Sequence, residues 1–194
     1  MTRRSSTTAV ERRALLFSGH MIDAPGRAQP RFPPMLEASV ARAIDAELER
    51  IHAGRSGDVA LASAACGGDI LFDEAVLRRN VPLTVYLPFD EPTFLRESVA
   101  FANDSWPARY RAIVARATQL AAPDVLGPLA PGADPYERVN QWMLDEARRI
   151  AGDGVAFICV WNGEGGDGPG GTKHMMDVVR AAGGDVHWVD IRAL

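Results

Sequence analysis

Apolar runs of strand length recur along the chain, at Ala14 to Ser18, Val59 to Ala62, Pro82 to Leu87, Val155 to Trp161 and Val186 to Val189. Each closes on a Gly, Ser, Pro, Asn or Asp, residues that end strands, and Pro82 suits a strand's first position because it has no amide to give a neighbour. The stretches between them carry a helical period instead. Leu36, Val40, Ile44, Leu48 and Ile51 form one apolar stripe, as do Val139, Trp142, Met143, Ala147 and Ile150. Shorter helices are predicted from Asp69 to Arg79 and from about Thr172 to Ala182. Between Pro92 and about Leu120, Phe94, Val99, Trp106, Tyr110, Ile113 and Ala117 predict two helices broken near Asn103 to Pro107, with no strand among them.

Strands alternating with helices are the layout of a sheet covered on both faces. The expected fold is α/β, a Rossmann-like three-layer α/β/α sandwich with a mostly parallel five-stranded sheet and a helical insertion after the third strand, at about 92–120. Residues 1–13, which include Arg3, Arg4, Arg12 and Arg13, read as a flexible basic tail, and 14–194 as one domain. The Pro- and Gly-rich stretch Pro123 to Pro135 is a loop too short to separate two domains.

Composition narrows the function. With 194 residues, 47% of them hydrophobic, the chain has material for one sizeable core. Its 21 basic and 25 acidic side chains give a net charge of −4, so no global positive field gathers a polyphosphate backbone, and nucleic acid is an unlikely partner. Cys66 and Cys159 stand far apart without a second ligand at metal spacing, which argues for reduced thiols, a cytoplasmic location and no metal. The four-residue apolar run Ala14 to Phe17 is too short for a signal core or a membrane span.

In an open parallel sheet ligands bind beyond the carboxyl ends of the strands, where loops diverge and helix N-termini point into the gap. Four segments reach that edge: Ser18-Gly19-His20, Ser63 to Asp69, Pro88-Phe89-Asp90, and Asn162 to Thr172. Gly67 and Gly68 allow close approach to backbone amides, while Asp69 would repel phosphate but accept from a sugar hydroxyl, and is equally a helix N-cap. Trp161 to Thr172 holds six glycines in twelve residues, and Gly170, Gly171 and the Thr172 hydroxyl make an anion pocket at a helix start. A surface turn is the plainer reading of that segment. Lys173 follows Thr172 rather than preceding it, so the phosphate loop of ATP hydrolases is not matched. His20 and His174 fall on the same edge, without a Ser or Cys at triad spacing. Trp161 is the aromatic best placed to stack on a base, although large aromatics at helical spacing more often fill cores.

Leu61-Ala62-Ser63-Ala64-Ala65-Cys66-Gly67-Gly68-Asp69, followed by a helix with Glu74-Ala75, resembles the strand-turn-helix of SMF and DNA-processing protein A domains of the SLOG superfamily. Tyr136, Asn140 and Met143 in a helix, then Val155 to Trp161, Asn162-Gly163, Gly170-Gly171-Thr172 and a closing strand, resemble its YpsA-like and nucleoside deoxyribosyltransferase-like branches. Together these cover roughly residues 14–194, apart from the helical insertion. The resemblance implies a pocket for a nucleotide or nucleotide derivative, such as a nucleoside phosphate, an ADP-ribose- or NAD-like molecule or a cyclic nucleotide, in a ligand sensor of bacterial signalling or defence.

The ligand-binding set expected from this is Ser18, Gly19, His20, Ser63, Cys66, Gly67, Gly68, Asp69, Pro88, Trp161, Asn162, Gly170, Gly171, Thr172 and His174. The alternative is an N-glycosidic hydrolase or transferase. Its acid would be Asp69 or Glu74 in the first instance, with Asp73 and Glu91 as further carboxylates. Pro169-Gly170-Gly171-Thr172 partly matches the Lonely Guy phosphoribohydrolase motif, but Met175-Met176 stands near that family's acid, which leaves no group to stabilise an oxocarbenium-like centre there. No cofactor is called for, and a homo-oligomer is left open. A pocketless interaction module is a third reading. DNA binding, by analogy with DNA-processing protein A, ranks below nucleotide binding because no basic patch is visible beyond the tail.

Overall fold

A computed structural model describes residues 12–165 and 171–194. Its centre is β1 (Arg13–Gly19), whose residues Ala14 to Phe17 are wholly buried, as a strand flanked by neighbours on both sides and covered on both faces requires. β2 (Asp58–Ala62) and β5 (Val155–Trp161) pair with it in parallel, so that Leu15 lies beside both Ala60 and Ala156. β3 (Leu83–Leu87) continues the sheet beyond β2, and β6 (Asp185–Asp190) closes the other side.

The sheet has six strands rather than five, in the order β4-β3-β2-β1-β5-β6, all parallel. The additional strand, β4 (Thr118–Ala121), falls in the segment expected to be helical without a strand, and it corrects that expectation. Its four residues, Thr-Gln-Leu-Ala, are exposed or half-buried on an edge, so they present no apolar run. The rest of that segment is helical as expected: α3 (Glu91–Phe94) runs into a π-helical turn, Leu95–Val99, and α4 (Ser105–Val114) follows. Asp90 caps α3 by accepting from the Thr93 amide.

Alternate residues of the strands feed two cores. Leu15, Phe17, Ala60, Ala62, Val85 and Leu87 pack against α1 (Glu37–Arg50), α2 (Gly68–Arg78) and α4, with Phe17 stacked on Phe72 at 4.7 Å. Ala14, Leu16, Leu61, Tyr86, Phe157 and Cys159 face the opposite layer, α6 (Pro135–Ala151) and α7 (Thr172–Ala181). Each fully buried Leu or Phe contributes about 1.5–3 kcal/mol, so a helix with a stripe such as Val40, Ile44 and Leu48 is held chiefly by its sheet contact. A short helix, α5 (Ala122–Leu126), joins β4 to the loop before α6. Among the described residues no helix is long and apolar enough to cross a membrane.

Chain order now fixes where a crevice opens. From β1 the chain steps outward through β2, β3 and β4, then returns to lay β5 on β1's other side. Connections diverge between β1 and β5, which is the switch point of an open parallel sheet.

At the other end of the layers, His187 of β6 is buried, with Nδ1 against the Arg50 guanidinium and 3.7 Å from Glu47 Oε2. Burial first, and then Arg50, lower its pKa below the ordinary 6.5, so it is folded in neutral form. An unfolded chain protonates this imidazole near 6.5, so its contribution to stability is present above that pH and is lost as pH falls. In urea unfolding, His187→Gln is expected to lose less stability between pH 7 and pH 5 than the parent chain. An equal loss would show that this imidazole does not titrate with folding.

Candidate functional site

A cavity of about 310 Å³ lies at the carboxyl ends of β1 and β5. Ser18, Gly19, His20 and Met21 come from the end of β1, Ser63, Ala65 and Asp69 from the turn into α2, and Trp161, Glu164, Gly165, Gly171 and Thr172 from β5 and the turn into α7. Eight residues singled out from sequence meet here: Ser18, Gly19, His20, Ser63, Asp69, Trp161, Gly171 and Thr172. Gly170 lies outside the described residues.

Others of the set stand behind the wall. Gly67 and Gly68 hold the two turns together: the Gly68 amide donates to His20 O at 3.1 Å, and the Ile22 amide donates to Cys66 O at 3.0 Å. The Cys66 amide is likewise taken, by Ser98 O at 2.8 Å, and its buried thiol is pushed up to about 12 by burial and the neighbouring Asp69. Backbone donors expected at this turn are thus partly spent within the chain. Asn162 positions His20, whose Nε2 lies 2.9 Å from Asn162 Oδ1 and 3.3 Å from its backbone nitrogen. Burial lowers the His20 pKa, and Arg31 and Arg27 act in the same direction. Pro88 is buried behind β3, and His174, in the first turn of α7, is not on the cavity wall.

Of the four candidate acids, Asp69 alone lines the cavity. It is 6% exposed, its Oδ1 accepts from the Ser63 amide at 3.2 Å, and burial without a cationic partner raises its pKa to about 7. Glu74 points instead to Arg109, which grips both its oxygens at 2.7 and 2.8 Å and also reaches Glu37 at 2.8 Å. Asp73 is fully buried one helical turn beyond Asp69, with neither oxygen hydrogen-bonded, and burial together with Asp69 raises its pKa strongly. Glu91 interacts with Tyr110. Among the described residues no group of three His, Cys, Asp or Glu side chains is placed to hold a metal.

Sequence reasoning missed Arg31. It sits in the Pro-rich loop between β1 and α1, where Asp23 Oδ2 accepts from the amides of Arg31 and Phe32 at 2.9 and 3.0 Å and Asp23 N donates back to Phe32 O at 2.9 Å. This folded loop brings Arg31 to the cavity wall. Its Nε is buried without a hydrogen-bond partner, and burial lowers its pKa below the usual arginine range. No local pattern in the sequence marks this arginine. The other unforeseen wall is helical. Asp134 caps α6 by accepting from the amides of Tyr136 and Glu137, and Tyr136, Val139 and Asn140 then share one face at helical spacing. The Tyr136 hydroxyl lies 3.0 Å from Ser98 Oγ and its ring packs edge-on against Phe89, so a 36% exposed aromatic is held in one orientation. Phe94 of α3 completes this side.

No family model matches the chain, and no curated protein sequence matches it. Two solved structures are similar in fold. DNA processing protein A from Streptococcus pneumoniae is 12% identical, with a TM-score of 0.37 over 90% of this chain, and the chain spans 58% of that protein's length. DNA processing protein A from Helicobacter pylori is 14% identical, with a TM-score of 0.33, 90% of this chain and 74% of its own covered, and its structure is described for a unique single-stranded DNA binding mode. Two expectations are corrected by this comparison. The expectations of a sensor of a small nucleotide derivative and of nucleic acid as an unlikely partner stand corrected against that description, which names single-stranded DNA for the Helicobacter pylori protein.

Proposed function

We propose that the cavity binds single-stranded DNA by taking in one unstacked nucleotide. The observation that carries this reading is the buried, unpartnered Arg31 Nε on the wall of a cavity that also presents an oriented aromatic ring. A buried donor without an acceptor is costly, and a phosphodiester oxygen meets that need with a charge-assisted bond. Tyr136 supplies a face on which a base stacks, and the Ser18, Ser63 and Thr172 hydroxyls supply exchangeable donors and acceptors around the sugar and base edge. A paired base in a duplex is stacked on both sides and has no route into such a cavity.

Net charge limits the strength of binding. With an overall charge of −4 and few cations at the cavity, the strand is held at few phosphates, so the salt dependence is shallow: a slope of about 0.7 in log Kd against log salt for each phosphate engaged. The test is fluorescence anisotropy with a labelled oligothymidylate, its duplex and the matching RNA. The parent chain is expected to bind the single strand and leave the duplex free. Loss of the Arg31 contact is worth about 1.5–3 kcal/mol, so Arg31→Ala is expected to weaken binding at least tenfold. Tyr136→Ala is expected to remove about 1–3 kcal/mol of stacking. Equal affinity for duplex and single strand, or an unchanged Arg31→Ala, overturns the reading.

A further inference from the structure

Arg31 and Asp69 face one small cavity, and they make opposite demands on a phosphodiester. The first attracts it. The second, when ionised, repels it, since both carry negative charge in one cavity. Resting on the single-strand reading above, we infer that Asp69 is the proton-accepting group of the site: the cavity closes on its phosphodiester only with Asp69 in acid form, so that binding takes up one proton.

The geometry leaves Asp69 little alternative. Its Oδ1 has one backbone partner, the Ser63 amide, and no arginine or lysine pairs with it among the described residues. From the β1 end His20 faces the same cavity, from the Pro-rich loop Arg31, from α6 Tyr136, and from the turn before α7 Glu164. On its own element lie the Cys66 thiol before it and Asp73 after it. Arg31 is thus the one cation among these groups, and a bound phosphodiester neutralises it. An entering anion therefore adds an unfavourable field at Asp69, whose own carboxylate is held by the Ser63 amide and by no cation named above.

In acid form the same side chain changes from acceptor to donor, and its O–H is available to a phosphate oxygen or a base edge. Asp73 lies one turn deeper, fully buried and off the cavity wall, and burial and Asp69's own charge raise its pKa well above the ordinary carboxylate value. His20 titrates below its ordinary 6.5, so it stays neutral where Asp69, near 7, changes state.

Isothermal titration of the full chain with an oligothymidylate, in buffers of different ionisation enthalpy between pH 6.5 and 8.5, counts the protons directly. The parent is expected to take up close to one proton at pH 8 and to bind about tenfold more tightly at pH 6.5 than at 8.5, the change that follows when binding raises one pKa by a unit or more. Asp69→Asn, whose amide mimics the neutral acid, is expected to bind at every pH with no uptake, and His20→Gln to keep the uptake. Three results overturn the inference. A parent that binds the strand and depends on Arg31, yet takes up no proton, removes it and leaves the single-strand reading in place. Uptake that survives Asp69→Asn, or vanishes in His20→Gln, assigns the proton elsewhere. A parent that binds no strand at any pH removes both.

Discussion

Gly67→Ala is expected to destabilise the fold by about 3 kcal/mol or more. Two causes add. Gly67 sits at φ +109, a conformation that costs a side-chain-bearing residue dearly. A Cβ at this position would also strike the Ile22 nitrogen, and would stand 2.9 Å from His20 O and 3.0 Å from Met21 C. All three are backbone atoms, so no rotamer change relieves the contact. They belong to the segment that bridges Gly67 through Met21 and joins the end of β1 to the start of α2. Relief means parting those two turns, which moves His20 away from Ser63 and Asp69 and opens the cavity. Gly132→Ala is the control, because it shares a positive φ, +79, but has open space around its Cβ, and it is expected to lose only about 1 kcal/mol. Urea unfolding of the two variants separates close approach from backbone strain. Equal losses would mean that the contact with Ile22 is relieved at little cost.

The second large effect lies in the pH dependence of stability. Asp69 is folded with a pKa of about 7 against an ordinary 3.8, and burial and Asp69 raise Asp73 well above its ordinary value in the same direction. A carboxyl whose folded pKa is raised contributes fully below its unfolded pKa, and that contribution is lost as pH rises through the folded one. For Asp69 the loss runs from about pH 4 to pH 7 and amounts to about 4 kcal/mol at 1.36 kcal/mol per pKa unit. Asp73, raised in the same direction, adds to the decline. Asp69→Asn and Asp73→Asn are therefore each expected to raise the Tm at pH 8 while changing it little at pH 4, opposite to the usual penalty for altering a buried polar residue. Calorimetry at the two pH values checks this. If Asp73→Asn lowers the Tm equally at both, the Asp73 oxygens have a partner that the Asn cannot satisfy, and the buried acid is a structural asset.

These two acids show why a chain with a legible fold hid its site. Their spacing, Asp69 then Asp73, is the ordinary spacing of one helix face, and nothing local distinguishes them from Glu74, next in the chain. Packing does: one face of α2 turns Asp69 to the cavity and Asp73 into the core, while Glu74 meets Arg109 from α4. Arg31 is the stronger case, since its position depends on Asp23 folding the Pro-rich loop back, a contact whose geometry no periodicity records. At Gly67 and Gly68 the close approach is made in part by the chain itself, since the Gly68 amide donates to His20 O. Glycine there serves the approach of a neighbouring chain segment, and a requirement for closeness reads the same in sequence whether the neighbour is a ligand or the protein itself.

By itself the sequence determined the alternation of strands and helices, the two-sided burial of β1 and β5, and the sheet edge at which the cavity lies. These follow from local periodicity and from end signals, which act over a few residues. Tertiary structure alone decided that β4 exists as an edge strand, where half-burial leaves no apolar signature. It decided also that Tyr136, Asp69, His20 and Arg31, drawn from four separate parts of the chain, face one cavity. Such convergence depends on strand order and on how each turn is held, and those are set by packing between residues distant in sequence.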